Sequence, residues 1–125
     1  MNNTETVMLS HYRDQTAFQT KDGSEIRELM HPNVQGNRAQ SLAEARVEPG
    51  QETALHRHLS SEELYHVTAG TGLMTLGDSR FQILPGDTVA ITPGTAHCVR
   101  NVGDDTLVIL CCCSPPYTHG DTELL

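Results

Sequence analysis

The sequence predicts an all-β domain of the sandwich or barrel class. Turn signals recur about every eight to twelve residues, which is typical of such folds. Pro-Gly pairs mark several of these turns, at Pro49-Gly50, Pro85-Gly86 and Pro93-Gly94. The length of 125 residues fits one domain. Because only five residues are aromatic and none is Trp, the core must consist of Val, Leu, Ile, Ala and Met.

The N-terminal part begins with a polar, weakly patterned stretch over residues 1–23. A turn is predicted at residues 21–24, where Asp-Gly-Ser follows Lys. Ile26 to Met30 fits a short strand better than a helix, because Pro32 closes the segment within two residues. Residues 33–38 are predicted to form a polar loop.

From residue 41 onwards, the chain is a series of short segments separated by turns. Ser41 to Val47 contains residues that tolerate a helix, but its seven residues end at Pro49-Gly50, which favours a strand. Gly77-Asp78 is predicted to form a hairpin turn. The other predicted strands are residues 53–58, 64–69, 73–76, 80–84, 88–91, 96–101 and 106–113. The tail after residue 113 contains consecutive prolines and cannot extend a central strand, so we expect it to wrap over the outside or across a barrel mouth.

Charge and cysteine content restrict the function classes. The formal net charge of −8 argues against binding to nucleic acid or to anionic membrane surfaces. No secretory signal or membrane-spanning run is visible. Cys111, Cys112 and Cys113 are adjacent and cannot bridge one another without strain. We therefore expect these cysteines to be free thiols that pack at the end of a strand. Free thiols in turn indicate a cytoplasmic location.

Three histidines and a glutamate in two short segments form a potential metal site. His56 and His58 are two residues apart, so a strand directs both to the same face. Together with His97 and Glu63 they offer three nitrogens and one oxygen, a set that suits a divalent transition metal with open coordination positions. Glu62 competes with Glu63 for the acidic position, and the spacing alone does not decide between them.

Strand alternation also sorts the neighbours of these residues. If Glu63 faces inward, Tyr65 and Val67 do so as well, whereas Leu64 and His66 face outward. By the same rule, an inward His97 directs Val99 inward and both Cys98 and Arg100 outward, which argues against Cys98 as a ligand.

Around these residues the chain resembles the cupin superfamily. The first cupin segment has the form G-x5-H-x-H-x(3,4)-E-x6-G, and its fixed positions are filled by Gly50, His56, His58, Glu63 and Gly70. The glycine spacing of this resemblance selects Glu63 over Glu62.

The second cupin segment has the form G-x5-P-x-G-x2-H-x3-N. Gly86, Gly94, His97 and Asn101 match it, whereas the expected proline falls on Thr92 and is found one residue later. The match is specific, although it covers less than half of the chain.

The resemblance implies a double-stranded β-helix, the jelly-roll barrel of cupins. It implies a single cupin domain over residues 1–125, with a core barrel at about 24–113, an N-terminal arm and a C-terminal tail. It also implies that His56, His58, Glu63 and His97 bind one divalent ion inside the barrel, of Mn, Fe, Ni, Co, Cu or Zn. The chain further resembles stand-alone cupins that are grouped with mannose-6-phosphate isomerase.

Two functions are compatible with this reading. The first is a metal-dependent enzyme that acts on a small oxygen-rich molecule, of isomerase, lyase or cyclase, or dioxygenase type. In that case Tyr65 is the candidate catalytic residue, although it could equally fill the barrel. The alternative is a non-catalytic small-molecule-binding cupin with a structural metal.

We expect a small-molecule ligand and a homodimer, with Leu64 and the strand at residues 26–30 as possible contacts. Tyr117 and His119 could close the pocket if the tail folds back.

Overall fold

The computed structural model describes residues 7–125, and its regular secondary structure is almost entirely antiparallel strands. Two sheets face each other, one of six strands and one of five. The predicted all-β double-stranded β-helix is thereby confirmed. No helix among the described residues has both the length and the apolar character needed to cross a membrane.

The six-stranded sheet has the strand order β1-β2-β3-β10-β5-β8. Its strands are β1 (Phe18–Gln19), β2 (Glu25–Met30), β3 (Ser41–Val47), β10 (Leu107–Ser114), β5 (Glu62–Ala69) and β8 (Thr88–Ile91). The five-stranded sheet has the order β11-β4-β9-β6-β7. Its strands are β11 (Thr122–Leu124), β4 (His56–His58), β9 (His97–Asn101), β6 (Gly72–Leu76) and β7 (Ser79–Ile83).

The hydrophobic core lies between the two sheets at one end of the barrel. Both sheets contribute residues that alternate along their strands, as the pleat requires. They include Val67, Met74, Ile83, Val99 and Ile109. With this end filled by aliphatic side chains, the polar residues of the metal segments lie at the other end.

Gly70 shows why the turn between β5 and β6 needs glycine. Its φ is +83°, a left-handed conformation that other residues adopt only with strain. A Cβ atom there would lie 2.7 Å from the Cα atom of Leu107. The turn therefore allows β10 to approach closely, and a side chain at residue 70 would force the strands apart.

The structure departs from the prediction in several short elements. Residues 32–35 form a one-turn α-helix, Pro32–Gln35, within the predicted polar loop. Pro32 suits the first turn of a helix, the ring of His31 accepts a hydrogen bond from the N–H of Asn33, and Gly36 ends the turn in the left-handed conformation. A 3-10 turn at Tyr12–Asp14 was also not predicted.

Strands β1 and β4 also differ from the prediction. β1 lies within the stretch read as unpatterned, and it pairs with β2. β4 begins at His56 rather than at residue 53, because Thr53 instead exchanges hydrogen bonds with the backbone of Val99.

The C-terminal tail crosses the pocket end of the barrel, as one of the two predicted courses required. After Ser114 the chain turns back and ends in β11, which pairs with β4. The prolines do interrupt the ladder of β10, but the tail forms a strand further along. Tyr117 lines the pocket, and its hydroxyl lies 3.3 Å from Oγ1 of Thr20 and 3.2 Å from Nδ1 of His119.

Candidate metal centre

The three predicted histidines meet on the inner face of the five-stranded sheet. His56 and His58 extend from β4 to the same side, while Arg57 points away and pairs with Glu123 at 2.7 Å. His97, the first residue of β9, is the antiparallel partner of His56. The potential ligand atoms of the three rings lie within 4.8 Å of one another, and all three residues are buried.

The structure brings Glu63, and not Glu62, to these histidines. Glu63 extends inward from β5 of the facing sheet, whereas Glu62 is exposed. The Oε1 atom of Glu63 lies 3.1 Å from Nε2 of His58 and 3.4 Å from Nε2 of His97. The four predicted ligand residues therefore converge, with histidines on one sheet and the carboxylate on the other.

Hydrogen bonds to the outer ring nitrogens fix the same tautomer in two of the histidines. The Nδ1 atom of His56 lies 2.8 Å from the carbonyl oxygen of Ala54, and that of His97 lies 2.9 Å from the carbonyl oxygen of Thr95. Because a carbonyl oxygen can only accept, Nδ1 carries the proton in both rings. Each Nε2 atom therefore directs a lone pair towards the centre.

His58 reaches the same tautomer through a threonine. Its Nδ1 atom lies 3.0 Å from Oγ1 of Thr122, and that hydroxyl donates its proton to the carbonyl oxygen of Thr118 at 2.9 Å. The hydroxyl has one proton, so it must accept from His58. Such outer contacts orient metal-binding histidines and fix their tautomer.

A cation is the group that this arrangement fits. In neutral rings of this tautomer, the Nε2 atoms of His58 and His97 direct lone pairs at Oε1 of Glu63, which also offers only lone pairs. Nε2 of His97 is buried and forms no hydrogen bond within the described part of the chain. Only protons or a metal ion can stabilise such a set, and the nitrogen and oxygen donors suit a divalent transition metal.

Ionisation of these groups follows from their contacts. Burial opposes ionisation of Glu63, but its contacts with His58 at 3.1 Å and with His97 at 3.4 Å outweigh it and lower its pKa to about 2. Burial, assisted by the charge of His97, lowers the pKa of His56. A deprotonated His56 ring keeps the Nε2 lone pair available for a metal.

A pocket of about 60 Å³ opens beside His56, His58 and Glu63. Asp22 and Glu28 add two more acidic side chains, and no Lys or Arg is among the described residues that line the pocket. The pocket is therefore small and acidic.

Tyr65 lies at this pocket, as the alternation predicts. It is buried, and its ring centroid is 5.8 Å from that of His97 in an edge-on arrangement. Burial, together with the charge of Glu63, raises the pKa of the Tyr65 phenol well above its usual range. The hydroxyl therefore keeps its proton at neutral pH.

The other sorted residues lie largely where the alternation places them. Leu64 is exposed, and His66 faces away from the pocket, with its ring 2.7 Å from the hydroxyl of Thr88. Cys98 also points away from the metal centre, as the alternation predicts. The residue is buried, because Glu52 covers it at 3.6 Å from the thiol.

Four residues at the site were missed or left open by the sequence reading. Cys113 pairs with Glu63 across β10 and β5, and its thiol lies 3.2 Å from the second oxygen of that carboxylate. Cys111 also lines the pocket. Alternation along β10 could have indicated both cysteines. Nothing in the sequence could have indicated Asp22 or Thr122, because the tertiary fold alone brings them to the histidines.

The fold and the site together define a β-barrel of the jelly-roll class with a candidate metal centre. A family model for the cupin domain matches residues 43–113, more than half of the chain. The chain belongs to the cupin family, as the sequence motifs predicted. The finer likeness to mannose-6-phosphate isomerase stays a prediction.

Known relatives extend this comparison. An uncharacterized protein of Methanocaldococcus jannaschii is 49% identical over 119 residues, which cover 95% of both chains. Auxin-binding protein 1 of Arabidopsis thaliana is 31% identical over 102 residues, with 70% of this chain and 51% of the relative covered.

Among solved structures, the oxalate decarboxylase of Lactobacillus farciminis in complex with formate superposes with a TM-score of 0.80 at 22% identity. The match covers 92% of this chain and 35% of that one. This similarity concerns the fold, and the present barrel corresponds to about a third of the larger enzyme.

Proposed function

We propose that this cupin is a metal-dependent enzyme that acts on a small oxygen-rich molecule, by isomerase, lyase or cyclase, or dioxygenase chemistry. One divalent transition metal would be held by His56, His58, His97 and Glu63. The observation that carries the proposal is the convergence of three Nε2 lone pairs and a carboxylate beside an open pocket. When bound, the ion would supply Lewis-acid or redox chemistry.

The pocket restricts the substrate to a small molecule with little negative charge. Its volume of about 60 Å³ favours a small substrate beside the metal. Because the described lining contains Asp22 and Glu28 but no Lys or Arg, only the ion would compensate an anionic group. A hydroxy-carbonyl compound or a monocarboxylate fits this charge better than a phosphorylated or dicarboxylate substrate.

Tyr65 is the residue that we propose for a catalytic role. Its phenol remains protonated at neutral pH, since burial raises its pKa. From the pocket wall it would donate a hydrogen bond, or a proton, to a substrate oxygen. Ile26, Ala43 and Ala45 supply an apolar wall to the same space.

The experiment compares the wild type with His58→Ala and Tyr65→Phe. Each protein is loaded with Mn²⁺, Fe²⁺ or Zn²⁺, and turnover is measured on small hydroxy acids, keto acids and hydroxy ketones. We expect His58→Ala to remain folded but lose metal and turnover, and Tyr65→Phe to keep metal but lose turnover. Metal-loaded wild type that binds no ligand and turns over none of these classes would contradict the proposal.

A second candidate function is a non-catalytic binding protein with a structural metal. Auxin-binding protein 1, 31% identical to this chain, is named for binding rather than catalysis, and this similarity supports the alternative. A ligand that raises the melting temperature of the metal-loaded protein without being consumed would favour binding. Consumption of that ligand would favour the enzyme.

We further propose a homodimer formed through the outer face of the six-stranded sheet. The strand registers place an apolar row across that face, and its members are Met30, Leu42, Cys112, Leu64 and Ala90. Light scattering on the wild type and on Leu64→Glu tests this pairing. We expect a dimer that the substitution weakens, and a wild-type monomer would refute it.

The free thiols of the four cysteines support a cytoplasmic location, which fractionation of cells would test.

A further inference from the structure

Asp22 is an acidic residue at the metal pocket that lies outside the cupin motifs. It belongs to the turn before β2 and precedes the region that the family model matches. The barrel nevertheless brings it to the pocket, beside His56. Its side chain is 11% exposed.

Hydrogen bonds hold this carboxylate in one orientation. Its Oδ1 atom accepts from the N–H of Ser24 at 2.9 Å and from the hydroxyl of Ser24 at 2.6 Å. Its backbone carbonyl accepts from the N–H of Ala54 at 2.7 Å, and the carbonyl of Ala54 in turn accepts from Nδ1 of His56. One oxygen is therefore engaged locally, and the turn is joined to the strand that carries His56.

The second oxygen of Asp22 faces a metal-directed nitrogen. Oδ2 lies 3.8 Å from Nε2 of His56. Since Nδ1 of His56 carries the proton, Nε2 offers a lone pair, and an ionised carboxylate oxygen offers only lone pairs. The two atoms are both acceptors, as are Oε1 of Glu63 and the Nε2 atoms of His58 and His97 that it contacts. A cation between them would satisfy both.

Asp22 lies within reach of an ion shared with His56. Two donors that share an ion at about 2.1 Å can be no more than about 4.2 Å apart. The separations of 3.1 Å and 3.4 Å between Glu63 and two histidines, and of 3.8 Å between Asp22 and His56, lie below this limit. Among the described residues, only the three histidines have ligand atoms that all lie within 4.8 Å of one another, so both carboxylates would have to shift towards the ion when it binds.

We propose that Oδ2 of Asp22 is a fifth protein donor to the metal centre. This inference rests on the metal site of the proposed function and adds a residue to it. With Glu63, the centre would carry two carboxylates, which balance the charge of a divalent ion. Three nitrogens and two oxygens favour an ion that accepts five or six ligands, such as Mn²⁺ or Fe²⁺, over tetrahedral Zn²⁺.

Two consequences follow for the proposed enzyme. In an octahedral ion, five protein donors would leave one position for the substrate, so the substrate would bind through a single oxygen. Metal binding would also tie the N-terminal segment to β4, because Asp22 and His56 would share the ion.

The test measures Mn²⁺ and Zn²⁺ binding to the wild type, to Asp22→Asn and to the control Asp78→Asn, which lies in the exposed turn between β6 and β7. The asparagine keeps an oxygen for the Ser24 hydrogen bonds, so the variant should fold, and the unfolding curve of the metal-free protein checks this. Affinities come from chelator competition, and coordination numbers from X-ray absorption at the manganese edge.

We expect Asp22→Asn to bind Mn²⁺ at least about tenfold more weakly, since even outer contacts of a site contribute that much. The loss for Zn²⁺ should be smaller, and the number of nitrogen and oxygen neighbours of Mn²⁺ contributed by the protein should fall by one. Asp78→Asn should behave as wild type. Unchanged affinity and coordination in Asp22→Asn would overturn the role of Asp22 while the proposed function stands. A wild type that binds neither ion would overturn both.

Discussion

Removing the Thr122 hydroxyl should weaken metal binding without touching a ligand. In Thr122→Val the side-chain shape is kept, but the hydrogen bonds to Nδ1 of His58, at 3.0 Å, and to the carbonyl of Thr118, at 2.9 Å, are lost. The Nδ1–H of His58 is then buried without a partner, and the ring is no longer held in the tautomer that directs Nε2 to the metal. Loss of such an outer contact typically lowers metal affinity by about ten- to a hundredfold, or about 1.4 to 2.7 kcal/mol.

The assay is competition with a chelator of known affinity at fixed pH, using Zn²⁺ and Mn²⁺. Thr122→Ser, which keeps the hydroxyl, should restore most of the affinity. Thr88→Val is the matched control, because it removes a threonine contact of 2.7 Å to Nδ1 of His66, which lies outside the site. If Thr122→Val binds both ions as tightly as the wild type, the tail does not orient His58 and the reasoning fails.

Three further predictions concern stability. Gly70→Ala should destabilise the fold by at least about 2 kcal/mol in urea denaturation, because the backbone at residue 70 is in the left-handed region and the new Cβ would lie 2.7 Å from Leu107. A loss below about 0.5 kcal/mol would contradict this. In the metal-free protein, the pKa of Glu63 is about 2 in the folded state against 4.5 in the unfolded state. The ionised carboxylate therefore stabilises the fold by up to about 3 kcal/mol. This stabilisation is present above pH 4.5 and is lost as the pH falls towards 2. Glu63→Gln should remove this part of the acid transition, and an identical transition in both proteins would count against it. Asn101→Leu should lower the free energy of unfolding by about 3 kcal/mol or more, because the Asn101 side chain donates hydrogen bonds to two backbone carbonyls and accepts one from the N–H of Gly103. A denaturation midpoint equal to that of the wild type would show that these hydrogen bonds contribute little.

Local sequence patterns predicted the part of the site that lies within regular strands. His56 and His58 share a face because a strand has a period of two, and the alternation carried Tyr65 and Val67 inward with Glu63. The choice of Glu63 over Glu62 was available from the family motif alone. Packing supplies the physical reason, since β5 turns Glu63 into the barrel and leaves Glu62 exposed.

Contacts between distant segments could not be read from the sequence. Thr122 meets His58 across 64 residues, and Cys113 meets Glu63 across 50. Each contact depends on which strands become neighbours, and local propensity does not encode that choice. β1 and β11 were missed for the same reason, since two- and three-residue strands form only against a partner that is already in place.

The most direct test of the account is an anomalous diffraction measurement on crystals of the protein loaded with Mn²⁺ or Zn²⁺. We expect one strong peak among His56, His58 and His97, at about 2.0 to 2.2 Å from each Nε2 atom. The oxygen of Glu63 should lie at a similar distance. A loaded crystal without a peak at this position, or with its metal at the cysteines of β10 instead, would contradict the central claim.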